Sequence, residues 1–465
     1  MSVARHSAIV YKPSTIANAM GPHVHDPRSG EILESHISWY HNVMSLLRNW
    51  YFIQASPIVP RARKIQLDDD LMGELIRFVS SHEVGHTLGL RHNYGSSSTV
   101  PVEKLRDKPW VEANGHTPSI MDYARFNYVA QPEDGITAKG IFPRIGDYDK
   151  WAIEWGYRWM PEFKTAEEER TYMNQWIIKS LRQNNRLLFG TEQDHNDPRF
   201  QNEDLGDNAM KAGAYGIKNL KRIVPNLMEW TKAANEDYSN AGGMYREVVN
   251  QFTRYVGHVI KNIGGITTTP KAIEEQGSVT AFVPKVRQKE AMAFLQQHVM
   301  ATPTWLIDKK LASVTRADYI NGIASVQQAV VGNLISESTF NKLLQFEAAE
   351  GNNAYTVSEM MTDLRKGIWK ELYSRQPVDM YRRNQQQMHA ERLIAFIKPA
   401  PAAPGGRSFG PVISAKNSDM LSIAKGQTRT LAAEIHAALP AVKDPTTRLH
   451  LKDVLERLED ALKKD

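Results

Sequence analysis

Apolar positions follow two regimes along the chain, with short alternating runs near the start and long three-and-four spacings afterwards. Ser7-Ala-Ile-Val-Tyr11 predicts a strand, ended by Lys12-Pro13. His25-Asp-Pro-Arg-Ser-Gly30 predicts a turn, and Ile32, Leu33, Ile37 and Trp39 carry the apolar pattern beyond it. Helical character builds from Tyr40 to Ile53, and Pro57 and Pro60 stop it. Leu71, Leu75, Phe78, Val79, His82 and His86 then recur at spacings of three and four, so they share one helical face. Asp68-Asp69-Asp70 places negative charge at the start of that helix, and Gly89 stands where it should end.

Residues 93 to 145 are rich in Gly, Ser, Pro and Asn and predict mostly irregular chain. From Asp147 onward the pattern is strongly helical, with amphipathic stretches near 164–187, 207–235, 241–263, 285–300, 316–347 and 357–396. Pro399-Ala-Pro-Ala-Ala-Pro-Gly-Gly406 reads as a linker. Two further helices follow near 417–438 and 446–463, split by Pro440 and Asp444-Pro445. No fixed-period repeat is visible.

At 465 residues the chain exceeds what one hydrophobic core usually serves, so two or three domains are expected. No apolar run reaches the roughly 18 residues of a membrane span, and the first residues lack the charged start and apolar stretch of a signal peptide. The chain has no cysteine, which excludes disulfides, thiolate metal sites and cysteine nucleophiles. Any metal must be held by His, Asp or Glu. The net charge of +5 is spread along the sequence, which gives little support to nucleic-acid binding.

His82-Glu83-Val-Gly-His86 sets two imidazoles one helical turn apart, able to face one ion, with Glu83 close enough to reach a water on that ion. A straight helix could not bring His92 to the same place, so the chain must turn sharply. Gly89 is the residue able to take the left-handed conformation such a turn requires. Five fixed positions of this kind should coincide by accident in on the order of one chain in 10,000.

The string His82-Glu-Val-Gly-His-Thr-Leu-Gly-Leu-Arg-His92 resembles the extended zinc signature of the metzincin metallopeptidases. Ser119-Ile-Met-Asp-Tyr123 resembles their Met-turn, with Met121 lying 29 residues beyond His92. That resemblance implies Met121 as a hydrophobic floor beneath the metal, and Tyr123 as a residue near it. More narrowly, the chain is similar to a bacterial group of large zinc-dependent metzincin-like proteases. The further matching segments are Gly21-Pro-His-Val-His-Asp-Pro-Arg-Ser-Gly-Glu-Ile-Leu33, Ile145-Gly-Asp-Tyr-Asp149, Glu203-Asp-Leu-Gly-Asp-Asn208 and Tyr215-Gly-Ile-Lys-Asn-Leu220. The likeness implies an extracytoplasmic protein, secreted, periplasmic or in the cell envelope. Only 81 residues precede His82, fewer than a full metzincin upper subdomain holds, so an N-terminal truncation is expected.

The implied fold class is an α/β (α+β) metzincin-like catalytic domain over 1–160, followed by a large mainly α-helical region over 161–400. A linker and a C-terminal helical pair over 401–465 complete the expected organisation. Three neutral imidazoles would leave one Zn²⁺ ion a single open position for water, and Glu83 would act as general base. Tyr123 could stabilise the developing oxyanion after swinging off the metal. The expected activity is that of a zinc-dependent endopeptidase on protein or peptide substrates. Alternatives are a zinc-stabilised protein-binding module without turnover and a metal-dependent amidase on a non-peptide substrate.

Other candidates have simpler readings. His23 and His25 suggest turn-stabilising or solvent-facing residues, and His116 and His195 suggest surface residues in polar loops. Asp149 reads as a helix cap. Trp151, Trp155 and Trp159 recur every four residues and suggest core packing.

Overall fold

The computed structural model describes residues 6–398 and 414–463, and the linker expected at Pro399–Gly406 lies outside them. The chain divides into two compact units. The first comprises Met1–Tyr255, Thr268–Thr280 and Lys309–Ala317, and the second comprises Val256–Thr267, Ala281–Asp308 and Asp318–Asp465.

The first unit opens with a small mixed sheet. Strands β1 (Ala8–Lys12), β2 (Ala19–Met20), β3 (His23–His25) and β4 (Ile32–Tyr40) are arranged around β4, which pairs with all three others. β1 runs parallel to β4, with Ile9 opposite Ile37 and Tyr11 opposite Trp39. β2 and β3 run antiparallel to it, with Met20 opposite Ser38 and His23 opposite Ser35. Helices α1 (Val43–Ala55) and α2 (Asp69–Thr87) follow. Leu47, Tyr51 and Ala55 from α1 meet Leu71, Leu75, Phe78 and Val79 from α2 in one core, together with Trp39, Met121 and Phe126. The periodicity of α2 thus buries the face that it predicts. Full burial of an apolar side chain contributes roughly 1.5–3 kcal/mol, so four of them hold this helix firmly. Arg61 and Lys64 pair with the acids at its start.

Between α2 and the helix Asp147–Tyr157 the chain is mostly turns and short helices, as composition predicts. It is nonetheless densely buried, and one expectation fails there. His116 is fully buried, not a surface residue, and its Nε2 donates to the Arg125 carbonyl at 3.0 Å. The polar composition of its neighbours disguised a segment folded inward. His195 is exposed, as expected. The tryptophan series also departs from expectation. Trp151 stacks on Trp176, with ring centroids 5.4 Å apart, but Trp155 and Trp159 are 54% and 84% exposed. Their helix ends at Tyr157, so Trp159 lies beyond the periodic face that would have buried it.

The second unit is helical. Met380–Ile397 packs against Tyr319–Leu334, Asp419–Ala438 and Pro445–Leu462. Its start is pinned by a buried ion pair in which Arg382 Nε lies 2.8 Å from Glu371. Pro445 begins the last helix, and Asp444 caps it by accepting from the Thr447 amide at 2.7 Å. Among the described residues, no helix is long and apolar enough to cross a membrane.

Burial holds the His116 imidazole neutral, moving its pKa from 6.5 down to about 4. The unfolded chain takes up this proton as pH falls below 6.5, whereas the folded chain does not until about 4. Stability supplied above 6.5 is therefore lost across that window, by about 3 kcal/mol at its acid end. In metal-free protein, the fall in Tm from pH 7 to pH 4 should be shallower for His116→Gln than for the unsubstituted chain. Parallel curves would show that His116 protonates without penalty.

Candidate metal centre

The last turn of α2 and the bend after it build the site. Leu88 closes the helix, and Gly89 takes φ +86°. Its amide donates to the His86 carbonyl at 3.0 Å, and the Leu90 amide donates to the Gly85 carbonyl at 3.0 Å. This pair of bonds is the Schellman pattern, which ends a helix and reverses the chain at once. A side chain at position 89 would strain that conformation. His92 is thereby carried back toward His82 and His86. The donor atoms of the three histidines all lie within 4.8 Å of one another, and His86 Nε2 and His92 Nε2 are 3.1 Å apart.

Hydrogen bonds fix which nitrogen faces inward. His82 Nδ1 donates to the Ile120 carbonyl at 2.8 Å, and His86 Nδ1 donates to the Leu90 carbonyl at 2.9 Å. That leaves their Nε2 lone pairs free, as a metal requires. His82 Nε2 is buried without any hydrogen-bond partner. Such an orphan costs roughly 1–3 kcal/mol, which the apolar burial along α2 offsets. Burial is the main cause keeping all three rings neutral: it lowers His82 well below the usual histidine value, lowers His86, and takes His92 down to about 4. Three neutral imidazole nitrogens converging on an orphaned position fit a zinc ion by donor chemistry.

Glu83 is 6% exposed, and burial raises its carboxyl to about 7 despite a hydrogen bond from the Gly21 amide. A Cβ at position 21 would lie 2.5 Å from the Glu83 carbonyl oxygen, so only glycine lets the β2–β3 edge approach α2 so closely. His23, beside it, sets Nδ1 2.9 Å from the His86 carbonyl and braces the helix end, whereas His25 is exposed.

Met121 is fully buried against α2, and a Cβ at Gly85 would stand 2.2 Å from its sulfur. Asp149 shapes this turn. It accepts from Ser119 Oγ at 2.6 Å, from the Ile120 amide at 2.7 Å and from the Gly146 amide at 2.8 Å. The cap at Gly146 was expected; the hold on Ser119 and Ile120 was not. Tyr123 presents its ring 4.5 Å from that of His92 and 5.3 Å from that of His82.

The structure brings together every residue singled out in the sequence for this site: His82, Glu83, His86, Gly89, His92, Met121 and Tyr123. It also adds residues to which sequence reasoning gave no role. Asn93 is fully buried; its amide donates to the Met121 carbonyl at 3.1 Å. Its side chain donates to the Leu188 carbonyl and accepts from the Gly190 amide, each at 2.9 Å. Tyr94 lies 5.7 Å from the His92 ring and 5.4 Å from that of Tyr123. Both adjoin His92 in sequence, and that proximity was the available signal. Arg125, which stands behind Tyr123, carried none, and Glu203 stood out only as the first residue of a matching segment. Asn208 and Asn219 from the other matching segments prove to be braces, Asn208 capping a helix and Asn219 binding the Tyr128 and Ala130 carbonyls.

Comparison with known proteins agrees with this geometry. A family model described as Met-zincin matches residues 64–376, a span holding α2, the bend, the turn at Met121 and much of the helical region. No curated protein and no solved structure matches the chain.

The contact between Gly85 and Met121 predicts a measurable coupling. Gly85→Ala should destabilise the protein by about 1–3 kcal/mol through overpacking. Combined with Met121→Ala, whose cavity admits the new methyl, the loss should be clearly less than the sum of the two single effects. Additive losses in chemical denaturation would show that the two residues do not press on each other.

Proposed function

The chain belongs to the Met-zincin family, and from that premise we propose that it is a zinc-dependent endopeptidase acting on protein or peptide substrates. One observation carries this reading: an orphaned, buried His82 Nε2 faces the Nε2 atoms of His86 and His92, with the Glu83 carboxyl on the same helix. A purely structural site has no use for that carboxyl. Bound zinc would supply Lewis acidity, lowering the pKa of water to about 7 and polarising the scissile carbonyl.

The residues of the chain supply the rest. Glu83, made basic by burial, accepts a proton from the attacking water and returns it to the leaving amine. Its hydrogen bond from Gly21 orients the carboxyl. Tyr123 places a phenol beside His92, positioned to donate to the oxyanion. Among the described residues, the edge formed by β2 and β3 pairs only with β4. An extended peptide could add to its free side as a further strand, passing next to Glu83. An extracytoplasmic location is part of the same proposal and rests on the family likeness alone.

Purified protein should carry about one equivalent of zinc by elemental analysis and cleave a denatured protein unless chelated. Glu83→Gln should retain the zinc while lowering kcat by about 10²–10⁴-fold. Turnover unchanged in that variant would overturn the mechanism, and zinc bound without cleavage of any peptide in a broad library would favour a binding module.

A further inference from the structure

A chain of rings and charge runs behind Tyr123. The Arg125 guanidinium lies 3.6 Å from the centre of the Trp50 indole on α1 and 4.3 Å from the centre of the Tyr123 phenol. Tyr123 in turn adjoins His92 and Tyr94. Indole, guanidinium, phenol and imidazole thus follow one another from α1 to the third histidine. The Arg125 side chain is almost entirely buried, yet its Nε has no hydrogen-bond partner, and the Glu203 carboxylate stands 3.7 Å away. What Nε lacks in hydrogen bonding, the guanidinium finds in two aromatic faces.

The backbone here is held in an unusual state. Arg125 and Glu203 both have φ +58°, in the left-handed region that residues with long side chains rarely occupy. Surrounding bonds enforce it. The Tyr123 carbonyl accepts from the Glu203 amide at 2.8 Å, the Arg125 carbonyl accepts from His116, and the Phe126 amide donates to Gln54 Oε1 at 2.9 Å. Gln54 Nε2 donates to the Glu203 carboxylate at 3.1 Å, and Arg254 pairs with the same carboxylate. Three separate segments therefore fasten residues 123–126, and Arg254 secures the Glu203 end of one of them. Strain maintained by so many partners marks a conformation selected for use. Arg125 and Arg254 share the Glu203 carboxylate.

We propose that Arg125 is a positioning residue: held against Trp50 and Tyr123, it fixes the Tyr123 phenol in one orientation beside the histidines. The phenol then acts as a stationary hydrogen-bond donor to the charge developing on the substrate carbonyl, and it does not swing. This inference rests on the peptidase reading, but its first test does not.

With 3-fluorotyrosine at position 123 of the full chain, fluorine NMR should report one fixed ring orientation in both metal-free and zinc-loaded protein. Arg125→Met should speed ring reorientation by about 10-fold or more. Arg125→Lys, which keeps the charge but loses the planar face, should give an intermediate result and serves if Arg125→Met does not fold. In peptide cleavage, either variant should lower kcat, by up to about 100-fold, with little change in KM. It should add little to the loss already caused by Tyr123→Phe. A fluorine spectrum indifferent to both substitutions would overturn the proposal, as would losses that multiply in the double variant. If no peptide is cleaved at all, the peptidase reading fails and the spectra alone decide the positioning.

Discussion

A helix can offer an ion at most two imidazoles from one turn of its surface, because the next turn has moved beyond reach. Everything in this site follows from that limit. The third nitrogen must come from chain that has stopped being helical, and it must return within a few residues. The bonds from Gly89 and Leu90 to the last carbonyls of α2 accomplish both, satisfying the helix end while reversing the chain. The helix end itself is braced from outside, by His23 on the His86 carbonyl and by Ser35 on the Thr87 carbonyl. The ligand geometry is therefore set by backbone hydrogen bonds, and the histidine side chains inherit it.

Around this bend the protein uses buried polar groups where a simpler design would use apolar packing. Asp149 fixes the approach to Met121, Asn93 fixes its exit, and Asp122 accepts from the Ser97 amide and Thr117. Each replaces a missing secondary-structure ladder, since the segment between α2 and Asp147 has few regular elements to satisfy its backbone. Burial raises the Asp122 carboxyl to about 7, the cost of removing it from water outweighing its hydrogen bonds. These groups specify one path for an irregular chain, which apolar contacts alone would leave underdetermined.

That irregularity also decides what was legible in the sequence. The strand at Ala8–Lys12, both early helices and the bend at Gly89 could be read because period and turn chemistry act locally. That His82, Glu83, His86 and His92 lie close together was legible because those residue types recur at spacings a helix and a bend can gather, whereas Met121 and Tyr123 stood out only through the resemblance of their segment to a Met-turn. His116 misled because its neighbours are polar in composition but buried in fact. Trp155 and Trp159 misled because a four-residue spacing says nothing about where the helix stops or what covers it. The meeting of Arg125 with Glu203 was invisible for another reason, although Glu203 opens one of the matching segments: it depends on left-handed backbone at two non-glycine positions 78 residues apart, and no local signal encodes it.

The hooks that Asn93 throws to Leu188 and Gly190 have a consequence for the order of events during synthesis. The three histidines leave the ribosome nearly a hundred residues before the segment that anchors the chain beside His92. On the zinc reading proposed above, a nascent chain would hold the ion only loosely, because His92 is not yet anchored. Tight loading would then wait for downstream translation, and cation affinity would double as a readout of whether the later part of the unit has docked.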